Sequence, residues 1–384
     1  MTESKMATKQ PNQQRYVLVD ALRGVAAFAV LCHHLFHNSS LERPLWDIMP
    51  RVICNFCHYG SFGVQIFFVL SGFVIPHSLR NVKIAPSSLG NFLVRRQLRL
   101  DPPYWTVLIL TIISCHVEQA MPWINKQTIP GAWDTVRNFF YLQNIVGVQQ
   151  IVPVAWTLCL EVQFYLVFIF LLIAGGRRAE RYPGNLTVGL LTVLGVASMC
   201  IRLHTIDAWF IQWWYYFAGG AICYWAVTQP KYRPLFYGYM ALFLVDAIIQ
   251  DPPPMLTGWC TVLLLFVAGT AGKLTTWLNF RPLQYLGRIS YSLYLVHLLV
   301  AGYVLRLGYR LTGKSPGFAL CWFILGIGIS ILAAQALYWA VESRSIRFAS
   351  SLKLDSYRRA TPAAAGAPGI EGNTLLSPNT AENA

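Results

Sequence analysis

The sequence predicts an all-α integral membrane protein, about ten transmembrane helices in one bundle with both termini cytoplasmic. Three observations carry that prediction. Of 384 residues, 55% are hydrophobic and only 12% charged, about half the charged share of a soluble domain. Trp, Tyr and Phe make up 14%, as aromatic belts at two membrane interfaces require. The apolar residues gather into ten runs: 16–37, 60–79, 103–120, 152–174, 186–203, 208–228, 234–250, 255–272, 283–305 and 317–341. Several approach the ~20 residues that cross hydrocarbon, and others are shorter.

Charge placement gives the bundle its orientation. With the N-terminus inside and the runs alternating, about twenty Lys and Arg fall in cytoplasmic segments and about eight outside. That asymmetry follows the positive-inside rule. The net charge of +14 therefore reflects topology, and no motif points to a nucleic acid partner. The expected organisation is a cytoplasmic tail over 1–14, a transmembrane domain over 15–345, and a largely disordered cytoplasmic tail over 346–384 rich in Ala, Pro, Gly, Asn and Ser. The first run is too long for a cleaved signal peptide, contains Arg23, and lacks a small-residue cleavage site after it. The outer loop over 121–151 is long enough to carry a small helix or to lie on the membrane.

The first run, YVLVDALRGVAAFAVLCHHLFH, carries Asp20, Arg23, His33 and His34 in an otherwise apolar stretch. Charge inside a bilayer is costly and normally faces a bundle interior or wet cavity. Arg23 and His34 are eleven helical steps apart, close to three turns. They share a face and stand roughly 16 Å apart along the axis. They could line one shaft; alternatively Arg23 snorkels to the headgroups and His34 lies at the far interface.

The second run, SFGVQIFFVLSGFVI, holds Gly63, Ser71 and Gly72, which permit close helix approach. RRQLRLDPPYW follows, with Arg96 and Arg99 neighbours on a helical turn. Pro102 and Pro103 are expected to stop or restart the helix there. Two guanidiniums suit an anion bearing several phosphate oxygens, or form a plain positive-inside cluster. In the fourth run Glu161 lies about two turns inside the span, and an unpaired carboxylate there demands Arg, His or water. The ninth run, YLGRISYSLYLVHLL, places Arg288 early and His297 late, with Ser290, Tyr291 and Ser292 between. Glu342 closes the tenth run beside Arg344 and Arg347, where it reads as an interfacial ion pair.

Cys54-Asn-Phe-Cys57-His58 has the form of a haem attachment site on the outer side, but no second axial ligand is evident. A disulfide or two ordinary thiols explain it as well. His33, His34 and His37 have ligand spacing without a matching acidic or Cys cluster, so no metal site is expected. Nine cysteines, mostly within apolar runs, do not make a closed disulfide framework.

Taken in order, DALRGVAAFAVLCHH, FGVQIFFVLSGFVI, RRQLRLDPPYW, WTLCLEVQFY, YLGRISYSLYLVH and ALYWAVE resemble the membrane-bound acyltransferase 3 family from about Tyr16 to Glu342. The resemblance implies transfer of acetyl or other short acyl groups from cytoplasmic acyl-CoA to hydroxyls, chiefly on bacterial surface glycans. It implies that His34 is catalytic, with Arg23 and Glu161 in support, and that Arg96 and Arg99 face the acyl-CoA donor. The family's Trp-Ser-Leu-x-x-Glu element appears as Trp156 to Glu161, with Thr157 keeping the hydroxyl. Asp20, Trp156, Ser71, Tyr291 and His297 are further candidates. The resemblance implies no resident cofactor, acyl-CoA serving as co-substrate. It implies a carbohydrate or lipid-linked glycan acceptor and a multi-pass location in a bacterial inner membrane. Some members add an extracytoplasmic esterase-like domain after the last helix; none is expected here. The competing readings are a secondary transporter or flippase using Arg23, His34 and Glu161, and a haem protein.

The orientation is testable. In a cysteine-free background, single cysteines between Arg80 and Arg99 should resist an impermeant thiol reagent in intact cells. Labelling from outside would overturn the inside assignment.

Overall fold

The structure, a computed structural model, describes residues 16–37, 41–80, 86–120, 128–175, 184–201, 208–250, 252–313 and 315–352. The two tails therefore lie outside the described residues, apart from the stretch up to 352. Among those residues the chain is helical, with no strand. In order come α1 (Val17–Phe36), α2 (Glu42–Ile48), α3 (Arg51–His58), α4 (Gly63–Leu79), α5 (Pro86–Ala120), α6 (Ala132–Phe139), α7 (Gln143–Val146) and α8 (Trp156–Gly175). Then follow α9 (Asn185–Cys200), α10 (Trp214–Thr228), α11 (Arg233–Ile249), α12 (Pro252–Thr270), α13 (Arg281–Thr312), α14 (Pro316–Leu337) and α15 (Ser343–Ser351).

Each of the ten apolar runs lies on one of these helices. Seven helical stretches are long and apolar enough to cross a membrane by themselves, so the chain is a multi-pass membrane protein. The other three runs fall on α5, which is polar along its first half, and on α9 and α10, of 16 and 15 residues. α10 is short but the most enclosed, with every residue from Trp214 to Ala226 buried. A helix apolar on all faces belongs in the middle of a bundle. Large side chains such as Leu332 and Phe170 instead point outward, at 69% and 67% exposure, as the lipid face of a membrane protein should.

Two helix pairs set the frame. α1 and α13 run parallel: Gln284 Nε2 donates to the Val17 carbonyl at 2.9 Å, Gly24 faces Gly287, and the His34 and His297 rings meet two to three turns further on. α4 and α10 also run parallel, through Phe68 with Trp213, Gly72 with Phe217, and His77 with Tyr224. Alternation along ten runs demands this, since runs one and nine, and runs two and six, cross in the same sense. Both pairs close on glycine. A Cβ on Gly287 would run into the Asp20 carbonyl, and one on Gly72 into the Phe217 carbonyl. Small residues let two backbones approach where hydrophobic drive between helices is absent.

Two sequence expectations need correction. Pro102 and Pro103 do not interrupt α5, which passes through both for 35 residues. The prolines remove two ladder donors, but side-chain hydrogen bonds, two of them tertiary, hold the segment. Tyr291 donates to the Leu100 carbonyl at 2.7 Å, Tyr141 donates to Asp101 at 2.7 Å, and Thr106 donates to the Pro102 carbonyl at 2.7 Å. Glu342 is not interfacial. It is 2% exposed, on a π-helical turn over Tyr338–Glu342 that inserts between α14 and α15. Such turns re-aim side chains and recur at functional sites. The outer loop does carry short helices, α6 and α7. Buried Asn138 pins it, donating to the Asp134 and Gln149 carbonyls and accepting from the Ile151 amide.

Gly287→Ala should force α1 from α13 and cost roughly 1–3 kcal/mol, the usual penalty of overpacking. Gly90, whose Cβ would meet nothing within 4 Å, should tolerate Ala and gain up to about 1 kcal/mol from helix propensity. Thermal unfolding midpoints in one detergent measure both, and equal midpoints would refute the close-approach account.

Candidate active site

A cavity of about 670 Å³ lies inside the bundle. Five of the six motif stretches reach it, and the sixth closes it. α1 brings Asp20 and Arg23, α4 brings Ser71, α5 brings Arg96 and Arg99, and α8 brings Thr157 and Glu161. α13 adds Arg288, Tyr291 and Tyr294, and the π-helical turn adds Tyr338 and Glu342. Apart from Arg96 and Arg99 on the polar half of α5, each polar group comes from a largely apolar helix, and burying it is tolerable only where it meets another such group or a wet space.

Glu161 is the hub. Its Oε1 accepts from Arg96 at 3.0 Å, from Ser71 Oγ at 3.1 Å, and from the Tyr165 hydroxyl one turn along α8. The Arg96 guanidinium also lies over the Tyr165 ring, 4.2 Å from its centroid. The Arg96 and Glu161 side chains are 12% and 19% exposed. Removing either partner of such a pair leaves an uncompensated charge, a cost of about 3–5 kcal/mol. The sequence demanded a partner for Glu161 and left its identity open; the fold supplies Arg96 rather than His34.

Glu342 is held differently, its Oε2 accepting from Ser292 Oγ at 2.5 Å. Arg23 and Arg99 make no hydrogen bond or ion pair with another described residue, although both line the cavity. Four guanidiniums and three carboxylates around the cavity leave an excess of one positive charge. With Arg96 committed to Glu161, the remaining guanidiniums of the lining are Arg23, Arg99 and Arg288.

Beyond Tyr294 the polar lining gives way to a file of rings leading outward along α1 and α13. The Tyr294 and His297 rings are 6.0 Å apart, and those of His297 and His34 5.2 Å. His297 is fully buried. Its Nδ1 lies 3.1 Å from the Leu293 carbonyl, which suits a donated proton, and its Nε2 has no partner among the described residues. His34 is half-buried. His33, one position back, turns away, and its Nδ1 meets the carbonyls of Cys57 and His58 at 3.2 and 2.9 Å. The two rings meet edge to face at 5.3 Å, but their polar contacts differ, as a 100° helical step requires.

The cavity unites seven of the predicted residues: Asp20, Arg23, Ser71, Arg96, Arg99, Glu161 and Tyr291. His34 and His297 pair with each other beyond its lining. Trp156 is placed elsewhere, packed against Phe68 and Trp213. Arg288, Tyr294, Tyr165 and Glu342 were not singled out as site residues from sequence, although all four lie within the motif stretches. Tyr165 had a legible signal, since it stands four residues after Glu161 on the same helix face. A second cavity of about 230 Å³ lies against the outer part of α13, where Glu118, 1% exposed, accepts from Tyr303 and Arg306, each at 2.9 Å.

The haem reading fails on geometry. Cys54 and Cys57 are buried, the first directed at the Leu45 and Met49 carbonyls and the second hydrogen-bonded with Cys32. No face is left for a thioether link.

A helical membrane bundle that gathers paired charges around an internal cavity, with a histidine further along, has the make-up of an intramembrane group-transfer enzyme. The chain belongs to the acyltransferase 3 family: the family model described as an acyltransferase domain matches residues 16–339. It is 25% identical over 378 residues to the acyltransferase MdmB of Streptomyces mycarofaciens, covering 87% of this chain and 93% of that one. It is 30% identical over 170 residues to the peptidoglycan O-acetyltransferase OatA of Listeria monocytogenes, covering 40% of this chain and 24% of that one. No solved structure matches. The protein is a membrane-embedded O-acyltransferase.

Proposed function

We propose that this enzyme transfers an acetyl or other short acyl group from cytoplasmic acyl-CoA to a hydroxyl of a carbohydrate acceptor, in a bacterial inner membrane. The observation that carries this reading is the cavity of about 670 Å³ in which Arg23 and Arg99, not taken up by Glu161, stand below a file of rings ending at His34. OatA, by its name, acetylates peptidoglycan, which makes a glycan hydroxyl the favoured acceptor here. Surface polysaccharide, lipopolysaccharide or a lipid-linked glycan all offer that group.

The chemistry follows from the placement of charge. Phosphate oxygens of the donor are matched by planar guanidiniums, which bind them through paired hydrogen bonds. Arg99 and Arg23 take that role, and Arg96, tied to Glu161, holds the wall in place. The thioester arm reaches along α1 and α13 toward His34. The acceptor hydroxyl attacks the thioester carbonyl, the carbon–sulfur bond breaks, and an ester forms. His34 takes the hydroxyl proton and returns it to the departing CoA sulfur. In an equivalent course the imidazole first carries the acyl group and then yields it to the hydroxyl. His297 Nε2, beside His34 and without a protein partner, is placed to orient its neighbour. Membership of an acyltransferase family favours transfer over the transporter reading of the same three residues.

Two outcomes are expected. His34→Ala should insert and fold but lose transfer by about 10²–10⁴-fold, or more if the imidazole is itself acylated. His33→Ala should keep clear activity. CoA release and the mass of surface glycans report both, and near-normal acylation by His34→Ala would overturn the assigned role. Changing Arg96 and Arg99 together to Ala should weaken acyl-CoA binding in the folded protein, with only partial rescue by Lys, which lacks the planar fork. Unchanged donor affinity would return the pair to a topological role.

A further inference from the structure

Two sequence features remain unused by the transfer chemistry, the His33-His34-x-x-His37 spacing and the Cys54-x-x-Cys57-His58 stretch. The fold brings one residue from each to the same place. α1 ends at His37, α3 ends in His58, and their rings lie 4.8 Å apart. Between them Glu42, at the start of α2, reaches within 3.4 Å of His37 Nδ1. One donor atom from each of His37, Glu42 and His58 falls within 4.8 Å of the others, and all three residues are half-buried. His58 Nδ1 is buried with no hydrogen-bond partner among the described residues. A buried imidazole nitrogen left unpaired costs free energy unless something binds it.

The geometry points to a divalent transition-metal site, best suited to Zn²⁺, formed by His37, Glu42 and His58 at the outer end of α1. Two imidazoles and a carboxylate are a recurrent zinc donor set, with metal–ligand bonds of about 2.0–2.2 Å. Tetrahedral donors on such bonds stand about 3.4 Å apart, so His37 and Glu42 already have the required separation, and the His58 donor lies within 4.8 Å of both. The second shell is also present. His33 Nδ1 meets the Cys57 and His58 carbonyls and fixes the backbone that carries His58. The three donors come from three separate helices, so a bound ion would tie α2 and α3 to the end of α1, three residues beyond His34. A fourth position stays open to water.

The test uses the full chain in detergent, purified without a polyhistidine tag and stripped with chelator. Wild type should take up one Zn²⁺ per chain by elemental analysis and calorimetry, and its thermal midpoint should rise on binding. His37→Ala and His58→Ala should each weaken binding at least tenfold and lose the thermal shift, while His116→Ala, on the exposed face of α5, should bind as wild type. Co²⁺ should give the visible bands of a nitrogen and oxygen site. A sulfur-to-cobalt band would place the ion at Cys32 and Cys57 and overturn the assignment. So would wild type that binds no zinc, or variants that bind it equally. Should the alanine variants not fold, Glu42→Gln, which keeps shape and hydrogen bonding, carries the same comparison.

Discussion

The contact between Glu161 and Arg96 governs the interior of this protein. Neither charge could stay in a hydrocarbon layer alone. α8 is largely apolar around Glu161, so the carboxylate must be met from another helix, and α5 supplies the guanidinium that pairs with it. Meeting it draws the charged first half of α5 into the bundle. Ser71 of α4 and Tyr165 of α8 complete the shell around Glu161, so three helices converge on one carboxylate. Arg99, one turn beyond Arg96, is carried into the cavity with it.

The glycine contacts act in the same sense. Gly287 against the Asp20 carbonyl and Gly72 against the Phe217 carbonyl bring helices together at backbone distance. The first contact sets the register between α1 and α13. With that register Arg23 faces the cavity that Arg288, Tyr291 and Tyr294 also line, and His34 meets His297 two to three turns further along. A change of register by one residue would rotate these groups out of line. The site is therefore a consequence of packing as much as of the polar residues themselves.

The outer end of α1 has a different economy. It lies away from the charged cavity, and its polar groups are imidazoles and one carboxylate. His33 is committed to backbone carbonyls, His34 to its neighbour His297, and His37 to Glu42. Three histidines within five residues thus make different polar contacts although their rings touch, at 5.3 Å for His33 and His34 and 4.4 Å for His33 and His37.

Composition and periodicity by themselves determined that this chain is a helical membrane protein, where its ten apolar runs lie, and that Arg23, Arg96, Arg99 and Glu161 are out of place in a bilayer. The order of its motifs determined the family. These properties are local, since hydrophobic length and the cost of a buried charge can be read along the chain without knowing its neighbours. Pairing was decided only in three dimensions. Glu161 took Arg96 rather than His34, Glu342 turned inward on a π-helical turn, and α5 continued through two prolines because Tyr291 and Tyr141 hold its backbone and Asp101. Trp156, in the midst of a motif, went to packing, and two weak histidine patterns met at one point. Each of these outcomes depends on which helix lies beside which, and that follows from close contacts between residues as much as 267 positions apart, of which no single stretch of sequence carries a trace.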